Sequence, residues 1–121
     1  IGAKLAQSNR QVVAICGDGS FQMQMMELAT IAQNKLPIKI ILMNNSRLGM
    51  VREVQDNQYK GNQTAVFLDG NPDFVRLATA YSIKSKRISS DQDIDSAIEE
   101  LLNCDEAFLL ECIVSPKEAT L

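Results

Sequence analysis

Two short polar stretches carry residue types that could bind a charged ligand together: Gly17-Asp18-Gly19-Ser20-Phe21, and further on Asn44-Asn45-Ser46-Arg47. Gly17 and Gly19 let the backbone turn sharply and let a ligand approach with no Cβ in the way. The amides of Gly19, Ser20 and Phe21 would open a helix, where unpaired N–H groups and the helix dipole favour a phosphate. A lone carboxylate beside a phosphate repels it, so Asp18 makes sense there only with a cation between the two. An Asp carboxylate, an Asn amide oxygen and a backbone carbonyl, completed by phosphate oxygens and water, suit octahedral Mg²⁺. The pattern reads as a metal-bridged diphosphate.

The flanking residues predict how these groups are positioned. Residues 11–16 form an apolar, β-branched run that reads as a buried strand. Residues 22–34 contain no Gly or Pro and predict one helix, in which Phe21, Met25, Leu28, Ala29 and Ala32 repeat at helical spacing. Met23 and Met26 widen that arc, and the methionines read as core fillers. Glu27 on this helix is either buried with a hydrogen-bond partner or solvated. Leu36-Pro37 ends the helix, and residues 38–43 predict a second strand. Strand, helix and strand make one βαβ crossover with parallel, adjacent strands. Asp18 and Asn45 then both lie at carboxyl ends of strands, the edge where open α/β sheets bind ligands.

Residues 47–55 predict a short helix, and the polar residues 57–64 either a lid over the ligand edge or a plain exposed loop. Asn71 reads as an N-cap, with Pro72 at the first helical position and Asp73 in the first turn. Phe74, Leu77, Ala78 and Tyr81 form the buried stripe of that helix. Residues 83–88 predict a weak, polar strand near a sheet edge. Ser90 caps a helix in which Ile94, Ala97, Ile98, Leu101 and Leu102 face inward, and residues 108–114 predict the last strand. The fold expected is α/β: a doubly wound, mostly parallel sheet with helices on both faces, forming one domain over residues 1–121.

Composition narrows the function classes. The 121 residues carry 15 acidic against 12 basic side chains with no basic run, which leaves no electrostatic footprint for nucleic acid. Apolar runs are strand-sized, so no membrane span is expected. No signal peptide is visible. Three cysteines without metal-ligand spacing fit free thiols in a reducing, cytoplasmic setting. With no His, a Ser-His-Asp or Cys-His mechanism within the chain is excluded. Cys16 beside the motif reads as a structural, buried thiol rather than a reactive one. Asp91, Asp93, Asp95, Glu99 and Glu100 read as a solvated helix face. Because residue 1 is Ile and residues 1–7 read as the tail of a helix, a fragment of a longer protein is expected.

The Gly17-Asp18-Gly19 and Asn44-Asn45 pair, separated by 43 − 19 = 24 residues, resembles the signature of thiamine-diphosphate (TPP) enzymes. Together with Leu48-Gly49-Met50-Val51, Glu27-Leu28-Ala29-Thr30, Leu36-Pro37-Ile38-Lys39 and Asn71-Pro72-Asp73-Phe74, the chain resembles the large catalytic subunit of acetolactate (acetohydroxyacid) synthases. The resemblance covers only the C-terminal, diphosphate-binding third of such an enzyme.

That resemblance implies that Asp18, the side chain of Asn45 and the backbone carbonyl of Arg47 hold Mg²⁺. It implies that Gly17, Gly19, Ser20, Phe21, Leu48, Gly49 and Met50 contact the cofactor. The family decarboxylates pyruvate and condenses the two-carbon unit with a second 2-oxo acid, a transferase step of branched-chain amino acid biosynthesis. The glutamate that activates TPP belongs to another domain, on a partner subunit. So the chain itself carries no catalytic residue and is expected to be silent alone. Implied partners are the rest of the polypeptide, a second copy in a homodimer or tetramer, and in some members a regulatory small subunit. Many relatives also carry FAD in another domain. Val54 stands where the anabolic synthases carry a Trp that lines the substrate entry and favours 2-oxobutyrate. Other readings are another TPP-dependent 2-oxo acid decarboxylase, oxidase or carboligase, or a non-enzymatic Mg²⁺-binding α/β module such as a phospho-receiver domain. A dinucleotide-binding domain fails for want of a G-x-G-x-x-G after a strand.

Overall fold

A computed structural model describes residues 1–118. Its elements in chain order are α1 (Gly2–Ala6), β1 (Val12–Gly17), α2 (Asp18–Gln22), α3 (Glu27–Gln33), β2 (Ile38–Asn44) and α4 (Gly49–Gln58). Then come α5 (Phe74–Ala80), β3 (Lys84–Ile88), a 3₁₀ turn (Asp91–Asp93), α6 (Ile94–Asn103) and β4 (Phe108–Ile113). The four strands form one parallel sheet in the order β1-β2-β4-β3. From β1 to β3 the chain advances across the sheet, and from β3 to β4 it turns back. Right-handed crossovers then put the returning helix on the opposite face. Phe21, Leu28, Ile31, Phe74 and Ala78 from α2, α3 and α5 pack with Ile38, Ile40, Leu42 and Leu109 on one face. Ala97 and Leu101 of α6 pack with Ile88, Phe108 and Leu110 on the other. The doubly wound sheet with helices on both faces is therefore the observed architecture.

Several local expectations need correction. β1 is an edge strand, not a buried one: Val13 and Ile15 are exposed, Ile15 by 70%. On the face they share with Ile41 and Met43, α6 packs over β4 and β3, and Ile41 lies at the margin of its cluster. The single helix over 22–34 is two helices joined by turns at 23–26, where Gln24 N–H donates to the Phe21 carbonyl and Glu27 N–H to Gln24. That break turns Met23, Met25 and Met26 outward, so they are exposed rather than core fillers. Glu27 is solvated. Of the α6 stripe, Ala97 and Leu101 are buried, whereas Ile94 and Leu102 are exposed.

The N-cap of α5 is Asp73, whose Oδ1 accepts from Arg76 N–H at 3.2 Å, and Asn71 lies outside the helix. That bond, helped by Arg87, holds the Asp73 carboxyl below its ordinary value. Ser90 does cap the turn into α6, accepting from Gln92 N–H. β3 is the second edge strand, as its polar sequence predicts. Buried Lys39 donates to the Cys104 and Glu106 carbonyls and closes the link from α6 to β4; burial pushes its pKa down. Residues 59–64 fold back on α4, where Gln55 bonds both the carbonyl and the N–H of Thr64. None of them lines the site below, so they do not cover it as a lid. No helix among the described residues is long and apolar enough to cross a membrane.

Candidate functional site

Gly17 pairs with Met43 in the β1–β2 ladder, so Asp18 and Asn44 leave the sheet side by side. β4 runs parallel on the other side of β2, and Val114 N–H donates to the Asn44 carbonyl at 3.0 Å. Three strand ends therefore converge on one edge, and a cavity of about 580 Å³ opens there. Gly17, Asp18, Gly19, Ser20, Asn45, Arg47, Leu48, Gly49 and Met50 all line it, as do Val114, Ser115 and Glu118.

Each predicted residue has a defined place. Asp18 is only 1% exposed and is the first residue of α2, with Gly17 as the N-cap. Gly17 has φ −78° and ψ 162°, extended backbone open to any residue, and an added Cβ would meet only the Met43 carbonyl, at 4.0 Å, so neither a turn nor packing within the chain requires glycine there. Gly19 is there for close packing: a Cβ would lie 2.7 Å from Leu48 Cδ2 and 3.3 Å from Leu68 Cδ1. Phe21 does not line the cavity and sits in the core. Its ring meets Phe74 edge-to-face at 5.6 Å, and the helix already opens at Asp18, three residues before it. At that fourth position the N–H has an acceptor within a regular helix. Asn45 Oδ1 accepts from Arg47 N–H at 3.0 Å, which holds this oxygen beside the Arg47 backbone and leaves it a second lone pair. The Arg47 guanidinium faces away, bonded to Asp69 at 2.9 Å and 4.5 Å from the centre of the Phe67 ring. Leu48 N–H donates to Val66 and Leu68 N–H to Ser46, which straps this turn down. Met50 and Val54 lie on exposed turns of α4, and Val54, 42% exposed, does not line the cavity.

The donors gathered here are a carboxylate, an amide oxygen and backbone carbonyls, the hard oxygens that Mg²⁺ takes. Among the described residues no group of three or more Cys, Asp or Glu could hold a metal alone. A cation here would need the oxygens of its ligand, as a phosphate-bound Mg²⁺ does. The helix α4 starts at Gly49, and Gly49, Met50 and Val51 of its first turn, where helix N–H groups have no acceptor within the helix, line the same cavity. The residues fit a metal-bridged diphosphate.

Residues 1–112 match the family described as thiamine pyrophosphate enzyme, C-terminal TPP binding domain. The chain belongs to this family. The TPP-binding domain is 43% identical over 119 residues to a probable acetolactate synthase large subunit of Methanococcus aeolicus. It is 39% identical over 118 residues to the acetolactate synthase isozyme 2 large subunit of Escherichia coli K12. Both alignments take in 98% of this chain but only 20% and 22% of those proteins, so the chain spans about one fifth of the relatives' length. Among solved structures, a thiamine diphosphate-dependent 4-hydroxybenzoylformate decarboxylase of Rhodococcus jostii RHA1 superposes with a TM-score of 0.88. It shares 31% identity over 98% of this chain and 22% of its own.

Sequence reasoning missed other residues of this TPP-binding domain. Asn71 Nδ2 donates to Asp18 Oδ2 at 2.6 Å, and Asn44 Nδ2 donates to Glu111 Oε1 at 2.8 Å. Glu111, 1% exposed, was visible as the one carboxylate in an otherwise apolar strand. Cys16 beside the motif packs against the core, and burial pushes its thiol up; burial and then the neighbouring Glu111 do the same for Cys112. The thiolate is the reactive form. Iodoacetamide at pH 8 should therefore label both more slowly than a free cysteine, as mass spectrometry of the folded protein reads. Labelling of Cys16 at the free rate contradicts the structural role.

Proposed function

We propose that this TPP-binding domain anchors TPP through Mg²⁺ in an acetolactate synthase. Such an enzyme decarboxylates pyruvate and joins the two-carbon unit to a second 2-oxo acid, as in branched-chain amino acid biosynthesis. The observation that carries this reading is the cavity at the strand ends, which gathers Asp18, Asn45 and Arg47 at one rim of amides. Asp18, Asn45 Oδ1 and the Arg47 carbonyl hold Mg²⁺, and the amides of Gly19, Ser20 and Gly49 hold the diphosphate; the Leu48 N–H is already donated to Val66 and takes no part. When bound, TPP supplies the carbanion-stabilising centre. The domain's own residues bind and orient, and none acts as general acid, base or nucleophile. Its exposed apolar residues Ile15, Met43, Met50 and Val51 are the surface for the rest of the polypeptide and for a second subunit. The protein works in the cytoplasm, where its three cysteines stay free. FAD and a regulatory small subunit belong, where present, to other parts of the assembly.

The similarity to the Rhodococcus decarboxylase favours a second reading, a TPP-dependent 2-oxo acid decarboxylase. Incubating the full-length protein with pyruvate, TPP and Mg²⁺ separates the two. One acetolactate per CO₂ released is the expected result, and an aldehyde with no acetolactate overturns it.

Val54 gives a sharper expectation for the substrate. A Val offers apolar area but no flat π face, and aromatic pairs add about 0.5–1.5 kcal/mol beyond burial. The wild-type protein should discriminate weakly between pyruvate and 2-oxobutyrate and resist sulfonylurea-type inhibitors. Val54→Trp should strengthen binding of an aromatic sulfonylurea-type inhibitor by about twofold to twelvefold, the ratio that 0.5–1.5 kcal/mol gives, and shift the product ratio toward 2-oxobutyrate. An unchanged ratio and unchanged inhibition would make Val54 a packing residue only.

A further inference from the structure

Asn71 is not a cap, and its side chain lies where three elements meet. Its Nδ2 donates to Asp18 Oδ2 at 2.6 Å and to Asn44 Oδ1 at 3.3 Å, while its Oδ1 accepts from Gln22 Nε2 at 2.7 Å. Asn44 continues the line, its Nδ2 donating to Glu111 Oε1 at 2.8 Å and its Oδ1 accepting from Ser46 N–H at 3.1 Å. Glu111 Oε2 accepts from Arg87 Nε at 2.7 Å, and Arg87 reaches Asp73 Oδ1 at 2.8 Å. The bonds thus run unbroken from Asp18 to the N-cap of α5, two residues beyond Asn71.

The polarity of this line is fixed from both ends. Ionised carboxylates only accept. Asn44 must therefore turn Nδ2 to Glu111, which leaves its Oδ1 for Asn71 and Ser46. Asn71, taking the Gln22 amide on its oxygen, is left to donate to Asp18. One amide so ties the end of β1 to the turn after β2, the two places that carry the proposed metal ligands.

We propose that Asn71 is a positioning residue for Asp18. It holds Oδ2 and leaves the other carboxylate oxygen to the divalent cation of the diphosphate site. This rests on the Mg²⁺-diphosphate reading above. Groups that orient a metal ligand are typically worth about 10–100-fold in metal affinity.

The test uses the full-length protein, with calorimetric titration of TPP at saturating Mg²⁺, of Mg²⁺ at fixed TPP, and of TPP in EDTA. Asn71→Ala should raise the TPP Kd and the Mg²⁺ half-saturation by about tenfold or more, within the range for such groups. TPP binding in EDTA should stay as in the wild type. Asn71→Ser keeps a small donor and should recover part of the loss, and it serves as the test should the Ala variant fail to fold. A purely structural residue would lower the melting temperature and leave the Mg²⁺ half-saturation alone. Values within twofold of wild type in a folded variant overturn the proposal. Asp18→Ala run beside it separates the two claims. If that variant also keeps Mg²⁺-dependent binding, the metal reading itself fails and the positioning role with it. If Asp18→Ala loses binding and the Asn71 variants do not, only the positioning role is wrong.

Discussion

Asp18→Ala is expected to weaken TPP binding at saturating Mg²⁺ by about 100-fold, or roughly 2.8 kcal/mol at 1.4 kcal/mol per tenfold. Asp18 is the one carboxylate among the proposed protein ligands, so its loss leaves the cation only neutral protein oxygens beside those of the diphosphate. The fold should survive. Asp18 is buried and accepts from the Asn71 amide, and removing it takes away a desolvated carboxylate while leaving that Asn71 donor one acceptor short. An unmatched buried donor costs about 1–3 kcal/mol, set against the relief of the burial penalty. The melting temperature without cofactor should therefore change little, and the rise on adding TPP with Mg²⁺ should vanish. Thermal melts with and without cofactor check both parts. A variant still stabilised to the wild-type extent contradicts the role given to Asp18.

Glu111→Ala has the largest effect expected on stability, a loss of about 3 kcal/mol. Glu111 is nearly fully buried on β4 and satisfies Asn44 and Arg87 at once. Without it the buried Asn44 amide has lost its acceptor, at about 1–3 kcal/mol, and the vacated space adds a cavity cost. Arg87 contributes less, because its half-exposed side chain can return to water and keep Asp73. Urea unfolding followed by circular dichroism measures the change, and a loss below about 0.5 kcal/mol, the range of ordinary surface changes, would remove Glu111 from the framework. The same line of bonds makes stability depend on pH. Asp73 has a folded pKa below its unfolded one, so its contribution is present above about pH 4 and is lost as pH falls through the folded value.

The βαβ frame was legible because its signals are local. Residues 11–16 and 38–43 are β-branched and apolar, Leu36-Pro37 stops the helix between them, and a crossover of that length makes the strands parallel. From that, Asp18 and Asn45 had to share an edge, and they do. What was not legible depended on packing at a distance. In Asn71-Pro72-Asp73 either polar residue can cap a helix, and only the position of Asp18 draws Asn71 away from that task. The break at 23–26 contains neither Gly nor Pro, so propensity gave no warning of it. The exposed Met23, Met26 and Ile15 carry the same apolar signal as core residues. Hydrophobicity says that a residue prefers to be covered, but not by what. The placement of β4 between β2 and β3, which brings Val114 and Ser115 to the cavity, comes from long-range pairing that no local pattern encodes.

At the proposed site a cation joins this chain's oxygens to a diphosphate. Calorimetric titration of TPP into the full-length protein, first in EDTA and then after Mg²⁺ is restored, tests it most directly. One saturable site per chain is expected with Mg²⁺, weakened by about 100-fold or more in EDTA and recovered when the metal returns, as where the cation supplies the largest local charge. Equal TPP affinity in EDTA and in Mg²⁺ would contradict it.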